Sequence, residues 1–212
     1  MGSGKGQARR TQVSSGQKLS SSALLGAKGA VEWRIGGIKE GKLHREDGPA
    51  IATLAGVHGW YINGKIHRDG GPAIESTDGK LAQWWRHGLQ HRDDGPAGVY
   101  KGIKEEWWQQ GQLHREDGPA VEEACGTKRW YQKGRLHRVG GPAVELLNGD
   151  TEWYVDGVCH REDGPALEFG DKSWPGEYWL YGEHVDADAL EKNALLKRLS
   201  GVRLDAPEKT TF

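Results

Sequence analysis

Six copies of one short motif contain the side chains most capable of chemistry in this chain. The motif has the form His-Arg-x-Asp-Gly-Pro-Ala, and its histidines are His44, His67, His91, His114, His137 and His160. A histidine with a carboxylate three residues later could have its imidazole oriented as a general base. Catalysis, however, needs one special environment rather than six equivalent ones. We therefore predict that the protein is not an enzyme and has no cofactor.

The same motif has a structural interpretation. Asp occupies its fourth position in four copies, whereas Gly70 and Gly140 replace it in the second and fifth, so single units fold without it. We expect the carboxylates to cap the Gly-Pro turn and to pair with a nearby arginine, and the histidines to hydrogen-bond neighbouring backbone. Contact with a ligand remains the alternative. The four carboxylates are Asp47, Asp94, Asp117 and Asp163.

Metal and phosphate chemistry have little support in the sequence. Neighbouring motif histidines would lie about 10 Å apart if each repeat adds two strands about 4.8 Å apart. Zinc holds its ligands within about 2.1 Å, so two such histidines cannot share one ion. Cys125 and Cys159 lack paired spacing, and we expect free thiols in a reducing compartment. The glycine-rich segment 2–6 lacks the spacing and the preceding strand of a phosphate loop. We predict no metal site.

Aromatic pairs form the second recurring feature. A pair starts seven residues before the histidine in five copies: Trp60-Tyr61, Trp84-Trp85, Trp107-Trp108, Trp130-Tyr131 and Trp153-Tyr154. The first copy has Gly37-Ile38 there, with Trp33 nearby as a possible cap. Such rows either pack across strands or stack on bases, sugars or peptides. If one face binds, the double-Trp units are the best candidates, with the residues Trp84, Trp85, Trp107, Trp108, Arg92, Arg115, His91 and His114.

The repeat that positions these groups reads as a β-hairpin. The motif histidines recur at intervals of 23, 24, 23, 23 and 23 residues. An aromatic strand is followed by a two-residue turn, for which Asn63-Gly64 and Asp156-Gly157 are strong signals. The return strand is expected to run through the motif, with a bulge or kink at Gly-Pro. These features predict an all-β, elongated antiparallel β-hairpin repeat array, a single twisted or solenoid-like sheet, with a short C-terminal capping helix.

Alternation along the return strand predicts a buried apolar row immediately before the histidines. Cys159 in that row would be a small core filler. The row comprises Leu43, Ile66, Gln90, Leu113, Leu136 and Cys159.

The ends of the chain differ from its repeats. We expect the repeats, with a degenerate seventh aromatic strand, to span 30–185. A capping helix over 186–203 would begin at Asp186 or Asp188, and a tail would span 204–212. The apolar stripe of that helix comprises Leu190, Ala194, Leu195 and Leu199.

The charge is unevenly distributed. The chain has 33 Gly, 10 Trp and a net charge of -1, which argues against coating nucleic acid along its whole length. Its first 31 residues contain five basic residues and no acid, so they carry +5 and the remainder -6. We expect residues 1–29 to form a flexible arm, either solvated or anchored to nucleic acid or an acidic protein surface. Its anchoring residues would be Lys5, Arg9, Arg10 and Lys18.

The pattern Trp-Tyr-x-x-Gly-x-x-His-Arg-x-Asp-Gly-Pro-Ala-Val-Glu resembles the MORN-variant tandem repeats of bacteriophage, large DNA virus and bacterial proteins. The resemblance covers roughly residues 37–185. It implies a β-hairpin array used as a scaffold or binding surface. The motif departs from ordinary MORN repeats, so the lipid binding proposed for those proteins is not transferred.

Together these features predict a non-catalytic, phage-like scaffold or binding protein that engages another macromolecule as a structural or assembly component. The alternative is a host-takeover factor that sequesters a nucleotide-like ligand or a host protein. A protein partner is expected, with nucleic acid contacted only through the arm. No run of 18 apolar residues and no secretory signal are present, so we predict no membrane contact and a location in the host cytoplasm or virion.

Overall fold

The computed structural model describes residues 22–25, 30–36 and 41–200. The chain divides into two compact units, residues 1–112 and 113–212, with three motif copies in each.

Strands make up the regular structure of the described part of the first unit. They are β1 (Ser22–Leu25), β2 (Val31–Ile35), β3 (Lys42–Leu43), β4 (Ile51–Ala52), β5 (Val57–Gly59), β6 (Tyr61–Ile62), β7 (Lys65–Ile66), β8 (Ile74–Ser76), β9 (Leu81–Gln83), β10 (Trp85–Arg86), β11 (Leu89–Gln90), β12 (Gly98–Tyr100), β13 (Lys104–Glu106) and β14 (Trp108–Gln109). The division between the units falls within β15 (Gln112–Leu113).

The second unit has strands and one helix in its described part. They are β16 (Val121–Glu123), β17 (Lys128–Arg129), β18 (Tyr131–Gln132), β19 (Arg135–Leu136), β20 (Val144–Glu145), β21 (Thr151–Glu152), β22 (Tyr154–Val155), β23 (Val158–Cys159), β24 (Leu167–Glu168), β25 (Tyr178–Leu180), β26 (Glu183–Val185) and α1 (Ala187–Ser200).

Antiparallel pairing joins the strands in each unit. In the first unit the main sheet has the order β1-β2-β4-β5-β8-β9-β12-β13, and β3 pairs with β2. In the second unit the order is β16-β17-β20-β21-β24. Separate two-stranded hairpins accompany these sheets: β6-β7, β10-β11, β18-β19, β22-β23 and β25-β26. The predicted class, an all-β hairpin array with a short C-terminal helix, is confirmed.

Each repeat contains two hairpins rather than one. β19 pairs with β18, whereas β20, which follows the motif, pairs with β17 and β21. The expected continuous return strand is therefore wrong, because the chain changes pairing partners within the motif. Proline lacks the N–H that a strand would donate there. The N–H of Arg138 instead donates to the carbonyl of Tyr154, in the following hairpin, at 3.3 Å.

The short hairpins are closed by two-residue turns. Asn63 and Gly64 have φ angles of 51° and 81°, and Asp156 and Gly157 have 50° and 82°, which confirms both predicted turns. The N–H of Gly64 donates to the carbonyl of Leu43 at 2.8 Å, so the turn also attaches its hairpin to the preceding one.

The core is a row of alanines from the motifs. Ala50, Ala73, Ala97, Ala120, Ala143 and Ala166 have no exposed surface. The row before the histidines, predicted to be buried, is only half-buried except at Gln90. The amide of Gln90 donates to the carbonyl of Ala97 at 3.2 Å, which satisfies this buried polar side chain. The centre of each repeat therefore holds a methyl group and backbone rather than large side chains.

The first copy is completed by Trp33. Its carbonyl accepts a hydrogen bond from the N–H of His44 at 3.0 Å, as the carbonyl of Trp60 does from His67. Trp33 thus occupies the position of the first aromatic residue, while Gly37 and Ile38 lie outside the described residues.

The seventh aromatic strand becomes the complete hairpin β25-β26, and α1 follows it. Asp186 caps α1, since its Oδ1 accepts a hydrogen bond from the N–H of Ala189 at 2.7 Å. Leu190 is buried, but Leu195 is 55% exposed, so the predicted apolar stripe is wrong at Leu195. The side chain of Leu199 is not among those described.

Candidate functional site

Each motif histidine joins two successive short hairpins. His91 directly follows β11, and its N–H donates to the carbonyl of Trp84 at 3.0 Å. Its Nδ1 accepts a hydrogen bond from the N–H of Gln110, the turn residue of the following hairpin, at 3.1 Å. The same bond to the next turn recurs in all six copies at 3.1 to 3.5 Å. The expected hydrogen bond to neighbouring backbone is confirmed.

The other ring nitrogen faces a carboxylate in five copies. The Nε2 of His91 lies 2.9 Å from Asp93, and the corresponding distances in four other copies are 3.5 to 3.8 Å. An imidazole that accepts at Nδ1 carries its proton on Nε2 in the neutral form, so the Nε2 of His91 donates to Asp93, whereas the Nε2 of His44 is buried without a hydrogen-bond partner in the described part of the chain. The fifth copy has Val139 at that position and no such pair.

Five motif arginines pack against a tryptophan. The Cζ of Arg92 lies 4.1 Å from the ring centroid of Trp84, and its Nη1 donates to the carbonyl of Pro96 at 3.3 Å. On the other side, a Cβ added to Gly95 would lie 3.1 Å from the Cζ, which explains the glycine before proline. Such stacking recurs at 3.8 to 4.2 Å on Trp33, Trp60, Trp84, Trp130 and Trp153. One face of each of these tryptophans is therefore already covered from within the repeat.

Two kinds of carboxylate bind these arginines. The first is the motif Asp, which accepts from the arginine Nε of its own copy at 2.7 to 3.0 Å in the pairs Arg45–Asp47, Arg92–Asp94, Arg115–Asp117 and Arg161–Asp163. The second is a Glu seven residues after the arginine, which accepts from Nη1 in the pairs Arg68–Glu75, Arg115–Glu122, Arg138–Glu145 and Arg161–Glu168. Every motif arginine thus has at least one carboxylate. The expected pairing of Asp with a nearby arginine is confirmed.

This pairing also sets the charge state of the aspartates. The hydrogen bond and the positive charge of Arg92 hold the pKa of Asp94 below its ordinary value. The hydrogen bond from Arg161 has the same effect on the pKa of Asp163. Both carboxylates are therefore ionised over the physiological pH range and lack the raised pKa of a general acid.

Trp85 differs from Trp108, the equivalent second residue of the next aromatic pair, in the hydrogen bonding of its indole N–H. The Nε1 of Trp108 donates to Glu106 at 3.1 Å, two residues earlier. The residue two before Trp85 is Gln83, whose amide donates to the hydroxyl of Tyr100 instead. The Nε1 of Trp85 is buried and has no hydrogen-bond partner among the described residues.

An open cleft of about 480 Å³ in the first unit is lined by half of the predicted binding residues. Its lining includes Trp84, Trp85, His91 and Arg92. The other predicted residues do not line it: Trp107, Trp108, His114 and Arg115.

Arg68 and Arg86 also line the cleft and are not among the residues predicted from the sequence. Arg86 carried a detectable signal, because the residue that follows the aromatic pair is uncharged in the four other copies that have such a pair. The corresponding residues are Ile62, Gln109, Gln132 and Val155.

Three polar side chains in the cleft wall contact one another in sequence: Arg86, Asp93 and His91. Asp93 accepts from the Nη2 of Arg86 at 3.3 Å and lies 2.9 Å from the Nε2 of His91. The Arg86 and Asp93 side chains are 55% and 68% exposed, so an incoming molecule can reach both. The lining has three arginines and three aspartates, so charged groups of both signs are present in equal number.

The thiols are both free. Cys125 is exposed, and Cys159 is half-buried between neighbouring strands. Burial, with the charges of Glu152 and Glu177, raises the pKa of Cys159 to about 11. Within the described residues, no group of three or more His, Cys, Asp or Glu side chains is placed to hold a metal ion.

The predicted arm falls mostly outside the described residues, as do its candidate anchors Lys5, Arg9, Arg10 and Lys18 and the tail 204–212. Within the arm, Ser22–Leu25 form β1, which pairs with β2. No helix in the described part of the chain is long and apolar enough to span a membrane.

No protein-family model and no curated protein matches this sequence. The fold and the motif contacts define the class as a β-hairpin repeat array in which the recurring motif builds the repeat.

Proposed function

We propose that this protein is a non-catalytic repeat protein that binds another macromolecule and serves as a scaffold or assembly component. The observation that carries the proposal is the repetition of the motif contacts. In copy after copy, the histidine Nδ1 receives a backbone N–H and the arginine lies against a tryptophan, a proline carbonyl and a carboxylate. Side chains used in this way hold hairpins together and are not available as general bases.

The cleft in the first unit supplies the binding surface. It exposes Arg86 and Asp93 beside Trp84 and Trp85, so charged groups of both signs adjoin aromatic surface. Interfaces between proteins are enriched in arginine and tryptophan in the same way. The partner is therefore a protein, and nucleic acid is contacted only through the basic arm.

The resemblance to MORN-variant repeats supports the same function. Those repeats occur in bacteriophage, viral and bacterial proteins as hairpin arrays, which suits a phage-like particle or a factor in the host cytoplasm. The array here offers many equivalent positions, and the cleft adds exposed charged groups beside tryptophans.

Affinity capture from the native source, with cross-linking and mass spectrometry, tests the proposal. We compare the wild type with Arg86→Glu, which reverses a charge in the cleft, and with Lys101→Glu, which makes the same change in an exposed turn. A stoichiometric protein should be captured by the wild type and by Lys101→Glu and lost with Arg86→Glu. Capture of no protein by any of the three overturns the proposal.

Capture of a nucleotide-like ligand is the second candidate. Two indoles and three guanidinium groups line one cleft, and these groups can stack on a base and bind a phosphate. Denaturation of the purified protein followed by mass spectrometry of the released small molecules is the test. A stoichiometric compound of nucleotide mass, lost with Trp85→Ala and retained with Trp108→Ala, would replace the first proposal with the second.

A further inference from the structure

Four of the six motif arginines bind a carboxylate through Nε. The Nε of Arg92 donates to Asp94 at 2.8 Å, and the Nε of Arg161 donates to Asp163 at 2.7 Å. These pairs show how the repeat binds a carboxylate at the Nε edge of the guanidinium.

The second and fifth copies keep the arginine but lack this carboxylate. Arg68 and Arg138 each lie 3.8 Å from the ring centroid of their tryptophan. Their Nη1 atoms donate to a proline carbonyl, at 2.9 Å and 3.1 Å, and to a glutamate, at 3.3 Å and 2.7 Å. Among the described residues, nothing accepts a hydrogen bond from the Nε or Nη2 of either arginine.

The loops leave this edge accessible. Gly70 and Gly140 replace the aspartate, and a Cβ added to either would have no atom within 4 Å. The Arg68 and Arg138 side chains are both 32% exposed, whereas the four arginines that have the aspartate are 20 to 25% exposed. The missing carboxylate therefore uncovers the guanidinium instead of being replaced by other protein atoms.

We propose that Arg68 and Arg138 are binding sites for a carboxylate group supplied by another molecule, which takes the place that aspartate has in the other copies. The inference deepens the proposed function and rests on it only for the source of the carboxylate in the cell. The glutamate already bound at Nη1 does not prevent this. Arg115 and Arg161 each hold an aspartate at Nε and a glutamate at Nη1 at the same time.

The two sites differ in their surroundings. Arg68 lies in the cleft, where Asp69, Asp93 and Asp94 also contribute negative charge. Arg138 is followed by Val139, which is 84% exposed, and its loop contains no acid. Arg138 is therefore the stronger site, and its ligand is a carboxylate beside an apolar group, as in an Asp or Glu of a peptide flanked by aliphatic residues.

The fixed orientation of the guanidinium favours carboxylate binding. Stacking on tryptophan and the bond to the proline carbonyl fix the orientation of Nε before the ligand arrives, so less side-chain entropy is lost on binding. An exposed ion pair is nevertheless weak on its own, which makes a single carboxylate a low-affinity ligand.

NMR detection of arginine Nε–H groups in the full-length protein tests the inference. Sodium acetate and the capped peptide acetyl-Val-Asp-Val-amide are titrated at constant ionic strength, with acetamide and acetyl-Val-Asn-Val-amide as neutral controls. Arg68→Lys and Arg138→Lys assign the two signals. We expect saturable shifts of the Arg68 and Arg138 signals with both carboxylates, larger for Arg138 with the peptide. A response to acetate alone assigns the site to free carboxylates, and a stronger response to the peptide assigns it to a peptide partner. No shift, or equal shifts of all six motif arginines, overturns the inference.

Gly140→Asp provides the matched variant because it restores the missing carboxylate within the chain. Gly140 has a φ angle of 74°, which Asp and Asn tolerate alike, so Gly140→Asn controls for backbone strain. The response of Arg138 should vanish in Gly140→Asp and persist in Gly140→Asn, while Arg68 responds in both. A persistent Arg138 response in Gly140→Asp overturns the inference.

The two proposals can fail separately. If the protein captures a partner but neither Arg68 nor Arg138 responds to carboxylates, this inference alone is overturned. If the arginines respond but no partner is captured, only the proposed function is overturned.

Discussion

The Nδ1 of His91 accepts a hydrogen bond from the backbone N–H of Gln110, nineteen residues later, at 3.1 Å. Gln110 has a φ angle of 50° and forms the turn of the following hairpin. The histidine of one repeat therefore stabilises the turn of the next, and this relationship recurs along each unit.

Replacement of His91 by alanine should destabilise the protein without abolishing any single function. The N–H of Gln110 would lose its acceptor, and we expect a loss of about 1 to 2 kcal/mol in the free energy of unfolding. Urea denaturation measures this change. His58→Ala is the control, because His58 lies outside the motif. Alanine variants of the other five motif histidines should behave similarly, and complete loss of an activity in one copy only would support an enzyme instead.

The two kinds of carboxylate predict unequal effects of the same substitution. Asp94→Ala leaves Arg92 without a carboxylate, because Val99 stands where other copies have the glutamate. Asp117→Ala leaves Arg115 with Glu122 at 2.8 Å. Thermal denaturation should therefore show a larger fall in Tm for Asp94→Ala. The double variant Asp117→Ala with Glu122→Ala should lose more than the sum of its single variants, and simple additivity would contradict this account.

The short turns predict a strong dependence on residue type. Lys133 and Gly134 have φ angles of 49° and 76°. Gly134→Val should destabilise the protein by about 2 kcal/mol or more, because a β-branched residue resists positive φ. Lys133→Asn should be neutral or slightly stabilising, because Asn adopts this conformation readily. Denaturation curves of both variants test the prediction, and an unchanged Tm for Gly134→Val would disprove the assigned turn.

The thiol of Cys159 should react slowly at neutral pH in the folded protein. Its pKa is raised from 9.0 to about 11 by burial, then by Glu152 and Glu177. At pH 8 its thiolate fraction is thus roughly 100-fold below that of an ordinary thiol. Iodoacetamide labelling of Cys125→Ser, compared between native and urea-unfolded protein, measures this protection. Equal rates in the two states would contradict it.

The same shift has a consequence for stability. The folded state binds the Cys159 proton more tightly than the unfolded chain does, so the contribution is complete below about pH 9. It should be lost as the pH rises from 9 towards 11. Cys159→Ser removes the titrating group, and its stability should fall less over that interval than that of the wild type.

The sequence by itself determined the features that depend on residues adjacent in the chain. Asn63-Gly64 and Asp156-Gly157 predicted their turns because only a few residue types adopt positive φ readily. Gln110 and Lys133 adopt the same angle without such a preference, because the following glycine and the accepting histidine of the previous repeat fix the turn. The repeat spacing indicated that these positions are equivalent.

The tertiary structure alone decided which strands pair and which groups remain accessible. Val144 pairs in a different sheet from Leu136, although one continuous strand was predicted, because hydrogen bonds to neighbouring repeats outweigh local strand preference. Arg68 and Arg138 share the motif pattern with four other arginines, and only their three-dimensional contacts show that one edge of each guanidinium is open. Arg86, Asp93 and His91 likewise meet only in the folded chain. Sequence periodicity determines equivalence between repeats, whereas packing determines how each equivalent position is used.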